Sequence, residues 1–227
     1  MRGRLQGKRV LLTQAKDFMG PATKEVFEEE GAEVIADTRD LTAVGACYDA
    51  VGEAGQIDIL IANLASPSFT GQSVMDLEDE DWSTPFKMMV DPLHHLTRAV
   101  LPQMLQREQG KIVVYGSATA LRGMKTIAAY SAARGAQLSY VQAVGVEVAP
   151  KNVQINLIAQ NYVESEDYYP PDLLRKESFV RSLKRQVPAG RLGKKREDAL
   201  FALFLASEES GFFAGQGIPF AGGWVQR

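Results

Sequence analysis

The chain has 227 residues, 45% of them hydrophobic and 23% charged, which suits a single soluble globular domain with a sizeable core. With Lys and Arg at 25 against 28 Asp and Glu, the net charge of −3 leaves no footprint for nucleic acid or an anionic membrane. One cysteine, Cys47, cannot form an internal disulfide and fits a reducing, cytoplasmic setting, and the adjacent His94 and His95 make a poor metal-ligand set.

Residues 10–13 (Val-Leu-Leu-Thr) predict a buried strand, and a helix follows over 21–30, closed by Gly31. A second strand spans 33–37 and a second helix about 41–55. The nearly continuous apolar run 57–62 predicts a strand covered on both faces. A long helical region over 85–108 is expected to be interrupted by Pro92 and Pro102. Then come a strand at 111–115, a helix over 126–148 ended by Pro150, and a strand at 153–158. A loop rich in Tyr, Asp and Pro covers 159–172. Helices near 173–186 and 195–206 precede a last short strand at 218–221.

Strand and helix alternate with no linker, repeat or composition break, so residues 1–227 read as one α/β domain, a doubly wound parallel sheet of Rossmann-like type. No apolar run approaches the roughly 20 residues of a membrane helix, and the apolar run after the basic start is too short for a signal peptide. Ligands in this fold class sit beyond the carboxyl ends of the strands, here after Thr13, Ala62, Tyr115 and Ile158.

Ser117 lies just past one of those ends, Tyr130 follows thirteen positions later, and Arg134 four after that. Positions i and i+4 share a helix face, so the spacing predicts Tyr130 and Arg134 looking into one crevice. A free phenol titrates near pH 10, and a guanidinium within about 4–6 Å favours the phenolate. A nearby serine hydroxyl can donate to a substrate oxygen, so the triple suits moving a proton to or from an alcohol. Each residue also has an ordinary use: Tyr and Arg at i and i+4 as surface packing, Ser117 as a strand-end cap.

This triple resembles the S-x12-Y-x3-K pattern of the short-chain dehydrogenase/reductase superfamily, and the resemblance runs nearly the full chain. It includes Asn63-Leu64-Ala65 after an apolar strand and Gly215-Gln216 leading to Gly222-Gly223. Three departures stand out. Arg134 replaces the family lysine. The phosphate loop T-G-x3-G-x-G reads Thr13-Gln14-Ala15-Lys16-Asp17-Phe18-Met19-Gly20, with side chains where a pyrophosphate needs bare backbone. The segment between Asp37 and Ile57 is too short for the usual helix plus strand of the adenosine site.

These departures are similar to the halohydrin dehalogenases, whose motifs are T-x4-[F/Y]-x-G and S-x12-Y-x3-R. Thr13, Phe18 and Gly20 satisfy the first; Ser117, Tyr130 and Arg134 satisfy the second. The resemblance implies an enzyme that needs no cofactor and closes vicinal halohydrins to epoxides with release of halide and a proton, reversibly with small anionic nucleophiles. It implies Ser117, Tyr130 and Arg134 as catalytic residues. A halide and substrate pocket of Phe18, Asn161, Tyr162, Val163 and Tyr169 is expected, with backbone N–H groups of 161–163 facing the halide, although Gln160 stands where some members have proline. Ordinary loop packing also accounts for these aromatics. The resemblance further implies a homotetramer whose only other partners are the small halohydrin or epoxide and the halide. Two alternatives stand beside this: a divergent NAD(P)-dependent reductase, and an inactive scaffold of the same fold.

Overall fold

The computed structural model describes residues 3–67, 71–166 and 168–226. Six parallel strands form one sheet in the order β2-β1-β3-β4-β5-β6, namely β1 (Arg9–Leu12), β2 (Glu33–Ala36), β3 (Ile59–Ala62), β4 (Gly110–Ser117), β5 (Val153–Gln160) and β6 (Gly217–Phe220). The doubly wound α/β expectation holds. Between β2 and β3 the chain forms one helix and no additional strand, so β2 is the sheet edge.

Alternation along the central strands sorts the core into two layers. Ile112, Val114, Leu157 and Ala159 pack with residues of α2 (Val44–Ala54), α4 (Asp91–Arg107) and α5 (Ala128–Val148). Val113, Tyr115 and Ile158 pack on the other face with α1 (Gly20–Glu29) and α8 (Lys195–Ala206). All of β3 and β4 is buried, as both-sided cover requires.

Two boundaries differ from expectation in ways that matter. The long helical region begins at Asp79, not 85, because the acidic run Asp79-Glu80-Asp81 suits a helix first turn. Its prolines do not break it. The helix α3 (Asp79–Pro85) runs into a π turn over Phe86–Val90 and then α4, with Pro92 in the first turn of α4 and Pro102 inside it. A π turn shifts the hydrogen-bond register by one residue, so the ladder already departs from the α pattern just before Pro92, which lacks an N–H. The other difference concerns strand length: β4 and β5 run on to Ser117 and Gln160, two residues further than predicted. Beyond β5, the predicted helix at 173–186 is two helices, α6 (Pro171–Leu174) and α7 (Glu177–Gln186). No helix among the described residues is long and apolar enough to cross a membrane.

Candidate active site

A cavity of about 280 Å³ opens at the carboxyl ends of β4 and β5. Ser117, Tyr130, Phe18, Asn161, Tyr162, Val163 and Tyr169 all line it, seven of the eight residues singled out in the sequence. Asp167 of the same loop lies outside the described residues.

Ser117 is the last residue of β4 and also the cap of a short 3-10 turn, so its ordinary strand-end role is real. Its Oγ accepts from the Thr119 backbone N–H at 3.2 Å and from the Thr119 hydroxyl at 3.0 Å. A hydroxyl has two acceptor lone pairs and one hydrogen. With both lone pairs filled, the Ser117 hydrogen is left to donate into the cavity. Thr119, itself in the cavity lining, escaped the sequence reading; a polar residue two positions beyond a strand-end serine was the available signal.

Arg134 corrects the sequence expectation. It does not share the crevice with Tyr130 but lies beneath it, 5% exposed, with its guanidinium carbon 5.0 Å from the centre of the Tyr130 ring. Its Nη1 donates to the carbonyls of Leu64 and Tyr115, both at 3.0 Å, and to Gln137 Oε1 at 2.8 Å. Gln137 in turn donates to the Met89 carbonyl on the π turn at 2.9 Å. A cation under a phenol ring is attracted to its face and steadies the ring. A guanidinium tied to three acceptors is an anchor, not a carrier of protons to solvent.

The halide expectation is also corrected in part. The Asn161 N–H is spent on the Phe220 carbonyl, and the Tyr162 N–H on the Asn161 side chain at 2.9 Å. Only the Val163 N–H meets no acceptor among the described residues, while Val163 itself bridges to Gly193. Phe18, Tyr162 and Tyr169 bring their rings to the cavity lining. Tyr162 stacks on Tyr169 at 6.2 Å, and Phe18 packs on Tyr168, a further lining residue, at 6.0 Å. Burial pushes the Tyr169 phenol far up and also raises that of Tyr162, so both are neutral walls at ordinary pH.

Residues 13–20 keep the backbone of a glycine loop without its glycines. Gln14 has φ 43° and Phe18 φ 48°, the left-handed region that glycine occupies without cost. Gly20 is required, since a Cβ there would stand 2.5 Å from the Ala15 carbonyl oxygen. The loop is closed on itself: Asn63 Nδ2 donates to the Gln14 and Asp17 carbonyls, and Gln14 Oε1 accepts from the Ala65 N–H. Pro21 in the first turn of α1 has no N–H to offer a phosphate. Asp37, at the end of β2, is tied to Arg39 Nε at 2.5 Å. These residues do not fit the pyrophosphate of a nicotinamide dinucleotide. Among the described residues no cluster of three or more His, Cys, Asp or Glu could hold a metal.

Residues 3–225 match a family described as enoyl-(acyl carrier protein) reductase. The chain is 29% identical over 244 residues to the 3-oxoacyl-(acyl-carrier-protein) reductase FabG of Vibrio cholerae, covering 96% of this chain and 98% of that relative. Among solved structures it is similar to one described as a dehalogenation enzyme, with TM-score 0.88 and 30% identity over 97% of this chain and 99% of that one. It is equally similar in shape, at TM-score 0.88 and 26% identity, to an NADPH-bound short-chain oxidoreductase with an atypical catalytic centre from Pseudomonas aeruginosa PAO1, covering 97% of each chain.

Proposed function

The chain belongs to the enoyl-(acyl carrier protein) reductase family of the short-chain dehydrogenase/reductase superfamily, and from that premise we propose that it is a cofactor-independent halohydrin dehalogenase. The observation that carries this reading is the placement of Phe18. Its ring lines the same cavity as Ser117 and Tyr130, on a backbone shaped for glycine, where a dinucleotide would need open space.

In the proposed reaction Tyr130, as phenolate, takes the proton from the hydroxyl of a vicinal halohydrin. Ser117 donates its hydrogen to the same substrate oxygen and holds it in place. The oxygen lone pair then attacks the neighbouring carbon from the side opposite the halogen. A C–O bond forms, the carbon–halogen bond breaks with its electron pair on the halide, and an epoxide results. General-base help of this kind is worth about 10²–10⁴ in rate. Holding oxygen and carbon in line inside a cavity supplies more. The leaving halide is received by the Val163 N–H and the aromatic wall, which excludes water and so strengthens the remaining donors. The reverse reaction would let azide, cyanide or nitrite open an epoxide. A homotetramer is proposed on the family resemblance alone, and light scattering reads it directly.

The test is bromide and proton release from a simple vicinal bromoalcohol with no nicotinamide added. Release by wild type and not by Tyr130→Phe supports the reading; no release from a panel of bromoalcohols overturns it. A nicotinamide-dependent reductase is the second reading, favoured by the FabG relative and the NADPH-bound neighbour. Saturable NADPH binding with turnover of a carbonyl substrate would establish it instead.

A further inference from the structure

Behind the cavity lies a group that the reaction above does not use. Gln160 ends β5, is the register partner of Ser117 on β4, and lines the cavity. Its amide reaches Asp198 in the first turn of α8, with Gln160 Nε2 2.5 Å from Asp198 Oδ2. Asp198 is fully buried, and its other oxygen, Oδ1, is buried without a partner among the described residues.

Consider what surrounds that carboxyl. From β4 comes Tyr115, a wholly buried phenol held neutral, whose hydroxyl is shared with Thr23 of α1 at 2.7 Å. The acids of α1, Glu25 and Glu29, pair with Arg196, and the neighbouring Glu197 pairs with Arg191. Lys194 and Lys195 precede it along its own helix, and no cation stands within ion-pair distance of Asp198 among the described residues. A buried carboxylate with one neutral hydrogen bond and no counter-charge is unfavourable, so the acid form is preferred. Desolvation pushes Asp198 up to about 8.

A protonated carboxyl must donate. A half-turn of the carboxamide exchanges its oxygen and nitrogen, so the same contact is made by the Asp198 O–H donating to Gln160 Oε1. That turn leaves the amide N–H₂ directed to the cavity.

We propose that Asp198, as the neutral acid, is a positioning residue that holds Gln160 with its N–H₂ toward the cavity, making Gln160 a donor to the bound anion. The inference rests on the halide reading of the cavity and deepens it. With two of the three expected backbone N–H groups already spent, a side-chain donor supplies what the loop does not. Once Asp198 ionises, it takes the N–H₂ for itself, and Gln160 presents a carbonyl oxygen that opposes an anion.

Bromide binding tests this through quenching of Trp224, whose ring lies 6.2 Å from Tyr162. A Trp82→Phe background removes the exposed tryptophan. Affinity is measured at about pH 6 and about pH 9.5 in this background, alone and with Gln160→Met or Asp198→Asn. The parent should lose about tenfold across the range, the scale of one hydrogen bond to an ion. Asp198→Asn, which keeps a donor facing Gln160 Oε1 at every pH, should lose much less. A pH effect arising elsewhere in the cavity is common to both and cancels in the comparison. Gln160→Met should be weak throughout. Equal pH profiles in parent and Asp198→Asn, or parent-like binding by Gln160→Met at the lower pH, overturn the proposal. Should Asp198→Asn fail to fold by circular dichroism, a Gln160→Met profile as steep as the parent's overturns it. A protein that releases bromide from a bromoalcohol yet shows equal profiles sinks this inference alone. One that neither binds nor releases bromide sinks the dehalogenase reading and this with it.

Discussion

The two sides of the cavity are built differently. Ser117, Tyr130 and Arg134 stand on an eight-residue buried strand and a 21-residue helix, and side-chain hydrogen bonds steady two of them: Thr119 on Ser117, and three acceptors on Arg134 Nη1. Phe18, Tyr162 and Tyr169 stand on irregular segments, and the first two hold φ of 48° and 55°. In the proposed reaction the regular side carries the groups that need fixed distances for proton transfer. The irregular side carries walls, whose shape decides which molecule fits. A side chain kept at left-handed φ costs stability, so the irregular side holds its aromatics against the preference of its own backbone.

If that division is right, the largest loss comes from the regular side. Tyr130→Phe is expected to lower bromide release by about 10²–10⁴ while leaving the urea midpoint nearly unchanged. Arg134→Met should act through the fold instead, leaving the Leu64 and Tyr115 carbonyls and Gln137 unpaired in the core. A loss of about 3 kcal/mol by urea unfolding is expected; an unchanged midpoint would refute the anchoring role. Asp198→Asn should gain a few kcal/mol at pH 7. Here the folded value, about 8, lies above the unfolded 3.8. The buried acid therefore costs nothing below about pH 4, and the cost grows as pH rises toward 8. The gain must vanish in acid, and urea curves at pH 3.5 and 7 decide it. On the irregular side, Phe18→Gly should stabilise by about 1 kcal/mol and still slow bromide release, the opposite signs that a strained wall requires. Thr119→Val is the smallest step: a several-fold drop in release, of about 1 kcal/mol, with the fold intact.

Much of this was legible from residues alone. Apolar runs at 57–62 and 111–115 gave the central strands, and the Ser-Tyr-Arg spacing found one corner of the cavity. The rest was hidden for definite reasons. Hydrogen-bond saturation depends on partners distant in sequence, so the loss of the Asn161 and Tyr162 amides to Phe220 and Asn161 could not be counted beforehand. Periodicity puts Arg134 on the Tyr130 face but does not say which of the two the sheet end covers. Prolines at 92 and 102 read as breaks, although the helix runs through both, and the π turn before Pro92 leaves no pattern in the sequence. In the sequence Asp198 is one of several charges at the start of α8, and only its burial sets it apart.

That π turn makes residue count a functional quantity. The Met89 carbonyl reaches Gln137, and so supports Arg134, because one additional residue is wound into the helix between Pro85 and Asp91. Deleting a single residue there would let the turn relax to ordinary α geometry, keeping the flanking helices in phase but removing the bulge that presents the Met89 carbonyl to Gln137. The prop under Tyr130 would be withdrawn although every residue of the cavity remained. Substitutions along Phe86–Val90 are therefore tolerable in a way that insertions and deletions are not, and a library that varies length separately from identity would read the difference.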